Sequence, residues 1–297
     1  MDIESKKFLG QPKNFVSIFN ALLFDGQSVL KPEYLKDENS ELVMNVSSKH
    51  VDIIKRYEDG TYLDLFVIES QSYVDPSMVA RVMEYESVAR MRYIRQNFKK
   101  HVPMHTRLPM ILTVVLYVGE SKWNAAKRLS ELEIIHPGFE DMFNEFKLNL
   151  IELNTNHKYN TGEKATQDFF DLLRMIYRKQ ILKEDLDREF NRDALYFAYV
   201  VTKNKELLNI YQESEKGDVK VCRALDEMFE ESTNKGIQMG IKQGIEQGIE
   251  QGVERGAKNT QIKIAIKMLV RNNQTLEEIS EIVGLDLDAL RELKKSI

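Results

Sequence analysis

Three polar residues, Asp52, Glu69 and Gln71, have types and spacings suited to chemistry on a phosphate group. Two carboxylates and a polar third residue on adjacent strands form a hard-oxygen site of the kind that Mg²⁺ prefers, with Mn²⁺ or Ca²⁺ as alternatives. Such an ion polarises a phosphate oxygen and lowers the pKa of a bound water that attacks phosphorus. Glu69 alternates with Leu65 and Val67, and an unpaired carboxylate on such an apolar face would be strongly disfavoured. The alternative is a solvated acidic pair on an exposed hairpin.

A predicted β-hairpin positions these residues. The Asp59-Gly60 pair lies between two segments rich in β-branched and aromatic residues, which is the strongest short-range hairpin signal. If the pair forms a two-residue loop, Asp52 lies opposite Val67, and Glu69 follows two positions later on the same face. Diagonal neighbours of this kind have Cβ atoms roughly 5–7 Å apart, so one cation could bridge both carboxylates. The hairpin therefore predicts a metal site.

Several stretches of the chain resemble one nuclease family. The strings HVDIIKRY and LFVIESQS, on either side of the turn, resemble the D…E-x-Q core of PD-(D/E)XK nucleases. More narrowly, they resemble the Rpn family of recombination-promoting nucleases and transposases. Support comes from NFVSIFN in the first helix, from Arg81 and Tyr85, from LPMILTVVLYVGESKW, and from a glycine repeat near the C-terminus. The resemblance covers residues 12 to about 155 and the tail.

The resemblance implies a Mg²⁺-dependent DNA endonuclease that hydrolyses phosphodiester bonds in recombination or transposition. It assigns Asp52 and Glu69 as metal ligands, with Gln71 where many relatives of the superfamily carry lysine. Glutamine can orient a water but cannot act as a cation. The first helix of such nucleases often carries an acidic residue, and the nearest candidates here are Asn14 and Asn20. A catalytically weakened relative that binds DNA or itself is the alternative.

The order of elements predicts an α/β fold, a restriction-endonuclease-like mixed sheet flanked by helices and followed by an all-helical C-terminal region. A helix is expected from Pro12 to near Gly26 and another from Asp75 to about Lys100. Strands are expected at 110–118 and 146–153, with a further helix before the last strand. The predicted domains are a nuclease-like domain at 1–158, a helical extension at 159–234, a repeat helix at 235–258 and a helix-turn-helix-like tail at 259–297.

The helix after the hairpin is predicted to contact DNA. The chain carries a net charge of −5, which argues against nonspecific coating of nucleic acid but allows a locally basic surface. Cations outnumber acids between residues 75 and 108. We expect backbone contacts from Arg81, Arg90, Arg92 and Lys99, Arg81 being closest to the site. The alternative is an ordinary solvated helix face.

The C-terminal quarter contains an internal repeat in which glycine recurs every fourth residue from Gly236 to Gly256. Each glycine inside a helix costs roughly 0.5–1 kcal/mol relative to alanine, so the spacing predicts close approach of a partner helix and a homo-oligomer. A flexible linker is the alternative. Thr275 and Glu278 predict a capping box, and Gly284 separates two short helices. These helices could read DNA or dock a protein.

Other features narrow the class of protein. Cys222 is the single cysteine, which excludes an intrachain disulfide and a cysteine-based zinc site. The longest apolar run, 110–118, is about half of what a membrane-spanning helix requires. We therefore expect a cytoplasmic protein with no membrane association, and the resemblance implies DNA as its partner.

Overall fold

The computed structural model describes residues 3–38, 53–60, 63–214 and 217–297. The chain forms two compact units, one that ends at Phe229 and a second at Glu230–Ile297. The boundaries of the four predicted domains remain a prediction.

The first unit contains a five-stranded mixed sheet in which the strands lie in chain order. The strands are β1 Leu35–Asp37, β2 Ile53–Glu58, β3 Leu63–Gln71, β4 Ile111–Tyr117 and β5 Asn149–Glu152. The first three pair antiparallel, and β3, β4 and β5 pair parallel. The predicted mixed sheet is thus confirmed, and β1 is an edge strand in addition to the predicted strands.

The predicted register of the hairpin is wrong by two positions. Glu58 pairs with Leu63, and Val67 pairs with Ile54 and not with Asp52. A two-residue type I′ turn needs a positive φ at both central residues, whereas only Gly60 of the Asp59-Gly60 pair has one, at 89°. The connection is therefore longer than expected. Because side chains alternate with period two, a shift of two positions leaves every residue of β3 on its predicted face.

Helices cover both faces of the sheet, as expected for the fold class. Phe66, Ile68 and the β4 and β5 residues on the same face join a large core with α1 Ile3–Gly10, α2 Pro12–Phe24, α4 Lys164–Arg178 and α5 Arg192–Thr202. Leu65, Val67 and Val115 face the other way and pack with α3 Met78–Asn97. Helix α2 begins at the predicted Pro12, where the missing N–H costs no hydrogen bond.

The connection between β4 and β5 contains no α-helix, contrary to the prediction; every residue from 118 to 148 is described. Two 3₁₀ turns occur instead, at Leu129–Glu131 and Glu140–Met142. Pro137 and Gly138 lie between these two turns and prevent a continuous helix there. Gly138 has a φ of 90°. Trp123 and Leu129 from this connection are buried against the α3 side of the sheet.

The rest of the first unit is mostly helical, as predicted. After α4 come β6 Glu189–Phe190, α5, α6 Lys205–Glu213 and β7 Val219–Lys220. The two short strands pair antiparallel, and two residues are too few to produce a readable alternation. A buried ionic network ties α4 to this region, because Arg188 pairs with both Asp168 and Asp171.

The second unit consists of helices. Helix α7, Cys222–Arg271, begins in the first unit and includes the whole glycine repeat. It is followed by α8 Leu276–Val283 and α9 Leu287–Lys295, whose apolar residues pack with the end of α7. Both halves of the predicted Thr275–Glu278 capping box are present, and Gly284 ends α8 with φ of 73°. In the described part of the chain, no helix is long and apolar enough to span a membrane.

Candidate active site

Glu69 is a buried carboxylate on the α3 face of the sheet. It occupies the seventh position of β3 and pairs with Val115 of β4. Leu65 and Val67 precede it on the same face and are buried. Only 2% of Glu69 is exposed, so the protein must supply partners that offset the cost of removing this charge from water.

Gln71 is the first of these partners. Its amide Nε2 donates to Glu69 Oε1 at 2.9 Å, which shows that the two residues share a face as their spacing predicts. Gln71 is itself buried and pairs with Tyr117 at the end of β4. The amide therefore fixes the orientation of the Glu69 carboxylate.

Asp52, the other predicted metal ligand, lies outside the described residues. Its approach to Glu69 remains a prediction. It directly precedes Ile53, the first residue of β2.

Arg81 of α3 contacts the same carboxylate oxygen. Its Nη2 donates to Glu69 Oε1 at 3.0 Å, and its Nε and Nη2 donate to the hydroxyl of Tyr85 at 3.1 Å and 2.9 Å. Burial alone would lower the pKa of Arg81. Its hydrogen bonds to Tyr85 and Asp75 and the charge of Glu69 outweigh that effect and raise the pKa above the ordinary value. Arg81 is therefore a permanent cation inside the site.

Asp75 completes this network, and the sequence reasoning did not select it. Its Oδ2 accepts from Arg81 Nη1 at 2.5 Å, while its Oδ1 accepts from the backbone N and the hydroxyl of Ser77. Burial would raise the pKa of Asp75, but the hydrogen bonds from Ser77 and Arg81 lower it overall. The string Asp75-Pro76-Ser77 before α3 could have indicated a fixed carboxylate, because aspartate and serine commonly bond to backbone N–H groups at the start of a helix.

Tyr85 is held one turn after Arg81 and is 5% exposed. Burial is the main reason why the pKa of its hydroxyl is raised, and the nearby charge of Glu69 adds to the effect. The hydroxyl stays protonated and accepts the hydrogen bonds of Arg81. The spacing of Arg81 and Tyr85, four residues apart on one helix, places both on one face.

The remaining predicted DNA contacts lie further along α3. Arg90 pairs with Glu86 and keeps 40% of its side chain exposed. Arg92 is half-buried, and Lys99 is exposed just beyond the end of the helix. The structure thus brings Arg81 to Glu69, and none of these three residues donates a described hydrogen bond to that carboxylate.

Asn14 and Asn20, the residues considered for an acidic position in the first helix, make structural contacts. Asn14 Nδ2 donates to the carbonyl of Phe8 at 2.9 Å. Asn20 binds both the carbonyl and the N–H of Leu30, each at 2.9 Å. Both amides are buried, and both need the donor that a carboxylate lacks.

The side chains of Glu69 and Gln71 carry oxygens of the types that bind hard divalent cations. A carboxylate and an amide oxygen are ligand types that Mg²⁺ and Ca²⁺ accept, and Glu69 is preorganised by two hydrogen bonds. Among residues 3–38, 53–60, 63–214 and 217–297, no group of three or more His, Cys, Asp or Glu side chains forms a metal cluster. Of the two predicted metal ligands, Asp52 and Glu69, the described residues include Glu69.

Comparison with protein families gave a match. A family model described as "Putative transposase, YhgA-like" matches residues 6–207, which is more than half of the chain. No curated protein matches, and no solved structure matches. The family match confirms the resemblance seen in the sequence.

Proposed function

The chain belongs to the YhgA-like transposase family, and from that premise we propose that it is a metal-dependent DNA endonuclease. The reaction is hydrolysis of a phosphodiester bond in recombination or transposition. The observation that supports it best is the buried Glu69, on which the donors of Gln71 and Arg81 converge. A buried charge of this kind is costly to a fold and is typical of functional sites.

Glu69 and Asp52 are the residues that would hold Mg²⁺, with Mn²⁺ or Ca²⁺ as alternatives. When bound, such an ion polarises a phosphate oxygen and lowers the pKa of a coordinated water. Gln71 keeps the Glu69 carboxylate in one orientation, and its amide oxygen can accept a hydrogen bond from the attacking water. The water oxygen bonds to phosphorus as the bond to the sugar oxygen breaks, so the products are a phosphate monoester and an alcohol.

The DNA backbone is proposed to lie along α3. Arg90, Arg92 and Lys99 are on this helix or just beyond it, and the exposed parts of Arg90 and Lys99 can reach phosphates. Arginine and lysine neutralise backbone charge without reading sequence. The match to a transposase family supports DNA as the partner.

Plasmid nicking tests the activity. The wild type is compared with Asp52→Ala and Glu69→Gln in Mg²⁺, Mn²⁺ and Ca²⁺, and the rate should fall at least about 100-fold in each variant because a ligand is lost. Glu58→Gln is a matched control, since Glu58 makes a surface ion pair with Lys36 of little energetic value. Equal nicking by wild type and Glu69→Gln would refute the assignment.

A second candidate function is a weakened relative that binds DNA or itself without cutting. It is favoured by Gln71, which carries no positive charge where many relatives of the superfamily carry lysine. Wild-type protein that binds DNA and fails to nick it with any of the three ions would support this alternative.

Self-association through the glycine repeat is also proposed, with a second copy of the chain as the partner. Every residue from 230 to 260 is exposed. This part of α7 carries the six glycines of the repeat, and no other part of the described chain packs against them. The aliphatic residues after the glycines, such as Ile241, Ile245 and Ile249, are 57–62% exposed. A Cβ added at any of the six glycines would meet nothing within 4 Å. A partner backbone can therefore approach closely along this strip, which offsets the roughly 0.5–1 kcal/mol that each glycine costs.

Analytical ultracentrifugation of the full chain tests this interface. The double variant Gly244→Ala with Gly248→Ala should increase the helix content, since alanine favours helix by about 1 kcal/mol per site. It should also lower the mass of the assembly, because the added methyl groups block the close approach of a second helix. Gln247→Ala, on the same exposed segment, is the control. If the repeat is a linker, the mass will not change.

A further inference from the structure

Arg81 lies between two carboxylates at the edge of the candidate active site. Its Nη2 bonds to Glu69 and its Nη1 to Asp75, so one guanidinium bridges both acids. The side chains of Arg81 and Asp75 are 13% exposed, against 3% for Glu69. The guanidinium is therefore more accessible to solvent than the carboxylate that it neutralises.

The guanidinium and the Gln71 amide are close together. Arg81 Nη2 and Gln71 Nε2 donate to the same oxygen of Glu69, at 3.0 Å and 2.9 Å, so their separation cannot exceed the combined length of these two hydrogen bonds. The positive charge of Arg81 thus lies beside Gln71, the residue at the position where many relatives of the superfamily carry lysine. It comes from the following helix and not from β3.

The arrangement around Arg81 fixes the position of this charge. Asp75 is itself held by Ser77, and Tyr85 accepts from two nitrogens of the guanidinium. The described hydrogen bonds use four of the five N–H groups of Arg81. One N–H on Nη1 has no partner in the described part of the chain and can donate to an oxygen of a ligand.

We propose that Arg81 supplies the positive charge at the scissile phosphate that Gln71 cannot supply, and that Asp75 and Tyr85 position it. This inference rests on the proposed nuclease function. Negative charge builds up on the non-bridging phosphate oxygens as water attacks, and a fixed guanidinium stabilises it without moving a proton. Arg81 is then a residue of the reaction and not one of the general contacts to the DNA backbone.

The charges of the site agree with this role. Glu69 and Asp75 carry two negative charges and Arg81 carries one positive charge, and Asp52 would add one more negative charge. A divalent cation balances the resulting total of −2. Without Arg81 the same site would keep an excess negative charge, which would repel a phosphodiester.

Three substitutions test the inference, namely Arg81→Gln, Arg81→Lys and Asp75→Asn. Nicking with Mg²⁺ should give a kcat at least about 100-fold lower for Arg81→Gln, comparable to the loss of one transition-state donor, with KM changed less than about tenfold. Arg81→Lys should recover part of kcat because the charge is kept. Asp75→Asn should lose about tenfold, because the guanidinium remains but is less well held. Arg223→Gln is the control, since Arg223 makes an exposed ion pair with Asp187.

A second readout does not depend on cleavage. Titration with Mn²⁺ alone should show binding to Arg81→Gln that is equal to or tighter than binding to wild type, since a competing cation has been removed. Asp75→Asn should bind Mn²⁺ more weakly. If Arg81 had only a structural role, Arg81→Gln would instead have both a lower thermal stability and a lower Mn²⁺ affinity than wild type.

The outcomes separate this inference from the function on which it rests. If Glu69→Gln abolishes nicking while Arg81→Gln cuts like wild type, only the role of Arg81 is refuted. Loss of Mn²⁺ binding or of folding in both Arg81 variants also refutes it. If wild type and Glu69→Gln behave alike, the nuclease function fails and the inference fails with it.

Discussion

Replacing Asn20 by aspartate is expected to destabilise the fold without improving cleavage. The nucleases that the sequence resembles often carry an acid in the first helix, so the resemblance alone would suggest that Asn20→Asp restores a missing ligand. In the structure, Asn20 donates to the carbonyl of Leu30 and accepts from its N–H. The carboxylate of the variant could keep the second contact, but it would set an oxygen against the carbonyl at 2.9 Å.

The size of the effect follows from burial. Asn20 is 4% exposed, so the variant loses a buried hydrogen bond, leaves a carbonyl unsatisfied and buries a charge. We expect the free energy of unfolding to fall by about 2–5 kcal/mol. Because burial raises the pKa of a carboxyl group, the deficit should be smaller at pH 4, where the protonated acid can donate to Leu30, than at pH 8.

Urea denaturation at both pH values measures this, with plasmid nicking in parallel. Asn97→Asp is the control, because Asn97 is exposed and its amide only donates to Tyr93 on the same helix; it should cost less than about 1 kcal/mol. An Asn20→Asp protein as stable as wild type, or one that nicks faster, would show that this side chain belongs to the site.

Three further predictions concern the fold. Gly119→Ala should lower the free energy of unfolding by about 1–3 kcal/mol, since the new Cβ would lie 2.4 Å from the Tyr117 hydroxyl. Gly10→Ala is the control and should leave the free energy of unfolding unchanged, because a Cβ there meets nothing within 4 Å. Equal stability of the two variants would contradict the packing around Gly119. Burial raises the pKa of Cys222 to about 11, so its thiol should react with a disulfide reagent at pH 8 only after denaturation; fast reaction of the native protein would argue against this burial. Thr275→Ala removes the capping box and should cost about 0.5–2 kcal/mol of local helix stability, measured by hydrogen exchange in α8, and unchanged exchange would contradict the cap.

The sequence predicted the position of Glu69 well because alternation along β3 determines its face. A buried strand needs apolar residues at every second position, and the carboxylate interrupts that series at one point. The shared face of Glu69 and Gln71 follows from the same period of two. The helix from Pro12 was equally readable, because proline is favoured at a first helical turn.

Features that depend on contacts between distant elements were missed. The hairpin register could not be read from Asp59-Gly60, because the same pair serves in longer loops when only the glycine has a positive φ. The role of Asp75 depends on where α3 packs against the sheet, which no local pattern states. Arg81 was selected as a contact to DNA for its charge, but only the fold shows that the guanidinium points at Glu69. The buried amides of Asn14 and Asn20 resemble vacant catalytic positions until their backbone partners are known.

The ion pair between Arg81 and Glu69 also bears on whether folding of the chain would depend on the proposed metal ion. In many small zinc domains the free energy of metal binding is what stabilises the fold, so the chain stays unfolded until the metal arrives. Here the chain carries its own cation for the buried carboxylate, and the sheet can close before any ion is present. If a divalent ion binds at Glu69 as proposed, a chelator would remove the ion and leave the fold intact, so supply of the ion would control activity independently of the amount of folded protein.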